Sequence, residues 1–192
     1  DPRPISFTTG HRRDFWKKNV VSLGLSCGFL EPLESTSLHL VQSGIKHLID
    51  LLPYGDISDA VVDRFNRQVT FELETIRDFL VLHYWANGRD EPFWKACREL
   101  ELTDSLQHKL ELFRANGRLF RYNEELFTET GWLQVLIGQG IEPKGFHPLA
   151  NAPGDEAVDK YLASIEEVIA AKVVRMPDHA DYIRQNCPTG EL

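Results

Sequence analysis

Residues 19–52 constrain the fold more than any other part of the chain. Asn19-Val20-Val21-Ser22-Leu23 is short, β-branched and followed at once by Gly24, so it reads as a buried strand entering a tight glycine loop. The loop runs to about Glu34. Ser35 or Thr36 then supplies a helix N-cap, and Leu38, Val41, Ile45, Leu48 and Leu52 recur at helical spacing until Pro53 ends the run. A strand, a glycine loop and a helix start in that order leave free backbone N–H groups and the positive end of a helix dipole facing the loop, a setting that favours an anion. Glycines at 24 and 28 allow backbone to approach a ligand closely.

The rest of the chain is helical in pattern. Phe65, Val69, Leu73, Ile76, Leu80 and His83 trace one stripe of a long helix ending near Asn87-Gly88. Pro92 opens a further helix, Thr103 caps one carrying Leu106, Leu110 and Phe113 up to Gly117, and residues 132–137 form a short one. Gly138, Gly140, Pro143, Gly145, Pro148, Pro153 and Gly154 make an irregular connection to a final helix over about 155–176, after which 177–192 reads as a polar tail. The strand at 19–23 finds no convincing partner, so the chain reads as mainly α with a little β and as incomplete.

The formal charge of −8 and the lack of a long basic run argue against nucleic acid as a partner. No run of about 18 apolar residues predicts a membrane span, and the first residues show no signal-peptide pattern, so the expected location is cytoplasmic. Three widely spaced cysteines, Cys27, Cys97 and Cys187, suggest neither disulfides nor zinc. The seven histidines include no H-x-x-x-H pair, so no metal site is expected, and individually they read as surface or satisfied core residues.

Two carboxylates, Glu31 and Glu34, stand in the loop beside Phe29, Leu30 and Leu33, where an apolar setting can tune one of them as a general base. Spacing does not choose between them, and an acidic residue that merely charges a helix start fits as well. Gly24-Leu25-Ser26-Cys27-Gly28 also matches G-x-S-x-G, the nucleophile elbow of α/β-hydrolases. Pro32 stands against that, since it falls where the elbow's helix would run.

Residues 19–42, with Gly24-Leu25, Gly28-Phe29-Leu30-Glu31-Pro32-Leu33-Glu34 and Ser35-Thr36-Ser37, closely resemble the C-terminal flavin-site block of flavin-dependent tryptophan halogenases. Thr9-Gly10-His11-Arg12, Trp16, Arg77-Asp78-Phe79 and His83-Tyr84 extend the likeness over at least half of the chain. The resemblance implies an enzyme that uses FAD as FADH2, oxygen and chloride or bromide to halogenate tryptophan, indole or a related electron-rich aromatic, with a flavin reductase supplying the FADH2. It implies Glu34 as the catalytic glutamate, Glu31 as structural, Thr36 and Ser37 as halide-binding through their backbone N–H groups, and Leu25 and Leu38 as flavin contacts. Ser37 departs from the glycine of the tryptophan-specific members. The aromatic cage of those members is not clearly reproduced around Tyr122, Phe127 and Trp132, although Trp132 is a candidate to stack on an aromatic substrate and otherwise a core aromatic.

The family's catalytic lysine, its G-x-G-x-x-G fingerprint and its W-x-W-x-I-P motif are not found, and neither Lys17 nor Lys18 stands in the lysine's context. The chain is therefore expected to be the C-terminal helical part of an α/β FAD-binding, flavin monooxygenase-like fold, inactive without the missing N-terminal FAD-binding segment. Residues 1–52 are expected to close the FAD-binding domain and 53–192 to form a helical substrate-binding region. A flavin-dependent aromatic monooxygenase is the alternative, with a hydrolase built on Ser26 behind it.

Overall fold

The computed structural model describes residues 3–4 and 6–187, and the chain separates into two compact units, Asp1–Phe146 and His147–Leu192. In the first unit, α1 (Ser37–Leu51) and α2 (Asp59–Trp85) follow the predicted stripes, and α3 (Pro92–Arg98), α4 (Asp104–Asn116) and α5 (Glu129–Gly138) come after them. Thr103 caps α4, its hydroxyl accepting from the N–H of Leu106 at 3.3 Å. Gly117 ends that helix at φ 64°, a left-handed conformation that costs a residue with a Cβ more than it costs glycine.

Helix α2 organises the unit because its 27 residues, about 40 Å at 1.5 Å per residue, are long enough to serve two cores. Its first half places Phe65, Val69 and Leu73 against Phe15, Trp16 and Cys27, with Leu40 and Leu48 of α1 packed on the same cluster. Its second half places Phe79 and Leu82 against Leu106, Leu110, Phe113, Trp132 and Leu136. The two clusters share one helix, so the loop at residues 24–36 and the helical region after 100 are held on a common axis.

The predicted buried strand at 19–23 is corrected by the structure. Only β3 (Val20–Val21) is extended, and it pairs antiparallel with β2 (Trp16–Lys17) immediately upstream across a turn at Lys18 and Asn19, Lys18 having φ 56°. Alternation explains the outcome: Trp16 and Val21 face each other on the inner side, while Lys17 and Val20 pair on the outer side, where Val20 is exposed. A hairpin needs no distant sheet. A second pairing joins β1 (Gly10–His11) to β4 (Gly28–Phe29), inside the loop itself.

The second unit contains α6 (Asp155–Val173), which stops short of the predicted Met176, and α7 (His179–Asn186), which the polar tail was not expected to contain. Asp178 starts α7 by accepting from the N–H groups of Ala180 and Asp181 at 2.9 and 3.2 Å, a local cap for a short helix in an otherwise polar segment. The remainder of the predicted tail, 188–192, lies outside the described residues. Among the described residues no helix is long and apolar enough to cross a membrane, and all three cysteines are free.

Candidate active site at the start of helix α1

The loop between β3 and α1 is folded twice. Gly24–Ser26 makes a 3-10 turn, β4 follows, and Leu33–Ser35 makes a second 3-10 turn that delivers the chain into α1. Within the second turn Glu34 (φ 66°) and Ser35 (φ 51°) are both left-handed, a conformation costing residues with a Cβ about 1–3 kcal/mol each. The strain falls on the glutamate of the motif, and the flanks hold it: the Ser35 N–H donates to the Pro32 carbonyl at 2.9 Å, and Thr36 is buried at 3% exposure. Thr36 occupies the N-cap position of α1 without a side-chain cap bond, so no side chain competes for the first N–H groups of the helix.

In front of that helix start lies a mainly apolar groove of about 350 Å³, lined by Gly24, Leu25, Gly28, Thr36, Ser37 and Leu38 among others. Leu25 and Leu38 are 75% and 80% exposed, an unusual amount of free apolar surface for two leucines on one groove. Helix and loop approach closely: a Cβ on Gly24 would meet Val41 Cγ2 at 3.0 Å, and one on Gly44 of α1 would meet Leu23 Cδ2 at 2.8 Å. Four sequence-predicted residues, Leu25, Thr36, Ser37 and Leu38, thus come together on one groove, and it combines apolar walls with unpaired backbone donors. That surface suits a flat, largely apolar ring system with an anion beside it, so the residues present fit FAD and a halide.

Glu34 lies two residues before Thr36 of the groove, and its carboxylate turns to α2, where Oε1 lies 3.2 Å from His83 Nε2. The Nδ1 of His83 is 2.8 Å from the carbonyl of Phe79, one turn earlier in the same helix. His83 was legible in the sequence only as a stripe position and as part of a family-like pair. Glu31 takes a separate path: burial first, then a hydrogen bond to the Glu31 carboxylate, pushes the Tyr84 phenol above its usual range.

A further group ties α1 to α2. Glu72, 5% exposed, accepts from the Ser43 hydroxyl at 2.8 Å, has His39 Nε2 at 2.8 Å, and has His47 Nε2 at 3.9 Å. Sequence reasoning missed this cluster because its members are spread over two helices. Among the described residues no group of three potential ligands is arranged for a metal ion.

Two predicted roles meet a different setting. Ser26 Oγ donates to the Leu23 carbonyl at 2.7 Å and accepts from its N–H at 3.0 Å, and the turn leads into β4 instead of a helix, so it lacks the form of a nucleophile elbow. Trp132 is 3% exposed, edge-on to Phe79 at 4.9 Å, with the Lys109 ammonium 4.4 Å above its ring. It is a core residue in this structure, whereas Phe127, stacked on Phe79 at 3.8 Å, and Trp85 pack against that cluster only partly buried.

Known proteins resemble the chain throughout. The tryptophan halogenase family model matches residues 1–155. The tryptophan 7-halogenase RebH of Lentzea aerocolonigenes is 30% identical over 94% of this chain and 38% of its own length. Among solved structures, Xcc4156, a flavin-dependent halogenase from Xanthomonas campestris, superposes with a TM-score of 0.94 at 44% identity over 100% of this chain and 39% of that one. BrvH, a flavin-dependent halogenase from Brevundimonas sp. BAL3, gives 0.90 at 40% identity over 96% and 38%. The chain therefore spans about two fifths of the length of these relatives. With the motif, the groove and the fold in agreement over most of its residues, this chain belongs to the tryptophan halogenase family.

Proposed function

We propose that the chain is the C-terminal part of a flavin-dependent halogenase acting on tryptophan, indole or a related electron-rich aromatic. The observation that carries the reading is the strained turn at Glu34, set between an apolar groove and an uncapped helix N-terminus. In this reading residues 1–52 close an α/β FAD-binding domain and 53–192 form the helical substrate region. In this reading the FAD-binding segment and the catalytic lysine that the resemblance implies lie outside these 192 residues, which span about two fifths of the relatives' length. A flavin reductase is the partner that supplies FADH2.

Leu25 and Leu38 would pack on the flavin, and the backbone N–H groups of Thr36 and Ser37 would hold chloride or bromide at the positive end of α1. A bound, reduced FAD would, with oxygen, supply the oxidising equivalents needed to make an electrophilic halogen from the halide. Glu34 then orients the electrophile and takes the proton that the ring carbon loses as its new carbon–halogen bond forms; the C–H bonding pair returns to the ring and restores aromaticity. Ser37 contributes through its backbone, so its hydroxymethyl group leaves the contact in place. A buried Trp132 supports the floor of the substrate region through Phe79.

The test is mass spectrometry on the complete enzyme given FADH2, oxygen, chloride or bromide and a panel of indoles that includes tryptophan. A halogen isotope pattern in the product is expected, and Glu34→Gln should remove at least 100-fold of the turnover, in line with the usual worth of a general base, while flavin binding persists. Hydroxylated product would move the reading to a monooxygenase, and unchanged turnover of the variant would remove Glu34 from the mechanism.

A further inference from the structure

A helix start that leaves its N–H groups free for an anion gives up its own cap. Thr36 makes no side-chain cap bond at the start of α1, and the first turn carries no acidic residue. The bond that closes this turn runs from the Leu40 N–H to the Thr36 carbonyl at 3.0 Å. Uncapped first turns fray. Here unwinding has an added incentive, because it would release the left-handed Glu34 and Ser35 immediately upstream, and such strain persists only where the surroundings hold it.

The hold comes from α2. His39 Nε2 hydrogen-bonds Glu72 Oε1 at 2.8 Å, and the Ser43 hydroxyl donates to Glu72 Oε2 at 2.8 Å. His39 and Ser43 are four residues apart and share one face of α1, so the two oxygens of a single carboxylate fasten its first turn and the next. Glu72 is buried beside Leu73 of the first core, which makes it a fixed anchor. His47 Nε2, 3.9 Å from Oε2, is beyond hydrogen-bond reach and stands outside this fork. On the other side, Ser37 and Leu38 of the groove immediately precede His39.

We propose that His39 and Ser43, fastened by Glu72, are positioning residues for the halide: they keep the first turn of α1 wound, so that the backbone N–H groups of Thr36 and Ser37 hold a fixed place at the groove. The identity of the anion rests on the halogenase reading; the fork itself rests on its hydrogen bonds. Neither side chain touches the halide or the aromatic substrate. Loosening the fork therefore weakens the hold on the anion and spares the hold on the ring.

The experiment compares His39→Ala, Ser43→Ala and the conservative His39→Gln, whose side-chain amide can keep a bond to Glu72. Amide hydrogen exchange in the 192-residue chain should show Leu40 exchanging about 10-fold faster in His39→Ala, as expected for loss of one hydrogen bond to a charged group. Leu51, at the far end of α1, should keep its rate, and His39→Gln should restore that of Leu40. Equal Leu40 rates in wild type and His39→Ala overturn the fork. In the complete enzyme, both alanine variants should raise the KM for bromide about 5-fold while the KM for the indole stays within about 2-fold, and His39→Gln should recover the bromide value. A lower kcat with both KM values unchanged would mean a general loss of folded enzyme and would refute the positioning role. If the Leu40 result holds while the complete wild-type enzyme yields no halogenated product, the halogenase reading falls and takes the halide role with it, leaving the fork as a helix anchor.

Discussion

Removing the Glu72 carboxylate tests how the candidate site is held in place. Glu72 lies at the middle of α2 and receives a hydroxyl and an imidazole from α1 at 2.8 Å each, through Ser43 and His39. Hydrogen bonds to a charged group contribute about 1.5–3 kcal/mol apiece. The His39 side chain is 38% exposed and regains water when its partner goes, so its share belongs at the low end. Glu72→Ala should therefore destabilise the chain by about 3 kcal/mol, which for a chain of this size lowers Tm by about 6–12 °C. Circular dichroism at 222 nm reads the shift. A Glu72→Ala/Ser43→Ala double variant should fall short of the summed single effects by at least ~0.5 kcal/mol, since the two residues share a bond. A Tm within about 2 °C of wild type, or strict additivity in the cycle, would refute the assignment of Glu72 as the tie between the helices.

Two further outcomes follow from the loop. A Cβ on Gly28 would stand 2.7 Å from His11 Cβ, 2.8 Å from the Gly10 carbonyl oxygen and 2.9 Å from His11 Cα, atoms at or next to the backbone that cannot rotate away. Gly28→Ala should cost about 1–3 kcal/mol by forcing β1 and β4 apart, whereas Gly138→Ala, with nothing within 4 Å, should be neutral; equal Tm values for the two variants would contradict this. Burial raises the Cys27 thiol above its ordinary 9.0, against smaller opposing effects from its backbone hydrogen bond and Arg12. Above about pH 9 the unfolded chain has lost that proton while the folded chain keeps it, so the contribution present below 9.0 is lost as pH rises through the folded value. Urea unfolding at pH 8 and 10 should show a smaller alkaline loss of stability for Cys27→Ala than for wild type, and parallel losses would count against the buried thiol.

Periodicity revealed the helices because their apolar stripes face two continuous cores: Phe65, Val69 and Leu73 on one, Phe79 and Leu82 on the other. Caps marked their ends, as Thr103 and Gly117 show for α4. The same reasoning failed at 19–23, where β-branching signalled an extended backbone but not which side would be covered. Trp16, not the valine run, carries the burial, and its partner strand lies three residues away. It failed again at α7, an exposed helix whose start is set by the Asp178 side chain and whose apolar pattern serves no described core.

The site was legible in one respect and hidden in another. Leu25, Thr36, Ser37 and Leu38 are close in sequence, and a loop feeding a helix brings them to one groove without help from the rest of the chain. His83 is 49 positions from Glu34 and carries no motif of its own, yet its placement follows from a rule that local patterns do not state. Glu34 contacts 83, while His39 and Ser43 contact 72, so position numbers fall along α2 as they rise along α1. That is an antiparallel helix hairpin, the arrangement expected of consecutive helices joined by a connection as short as residues 52–58. It brings the positive start of α1 beside the negative end of α2, where an anion and a cation, respectively, are favoured. Glu34 and His83 occupy those two ends. The polar residues on the facing stripes, His39, Ser43, Glu72 and His83, are therefore the positions at which the hairpin sets the reactive turn, and their signal is visible only once both helices are paired.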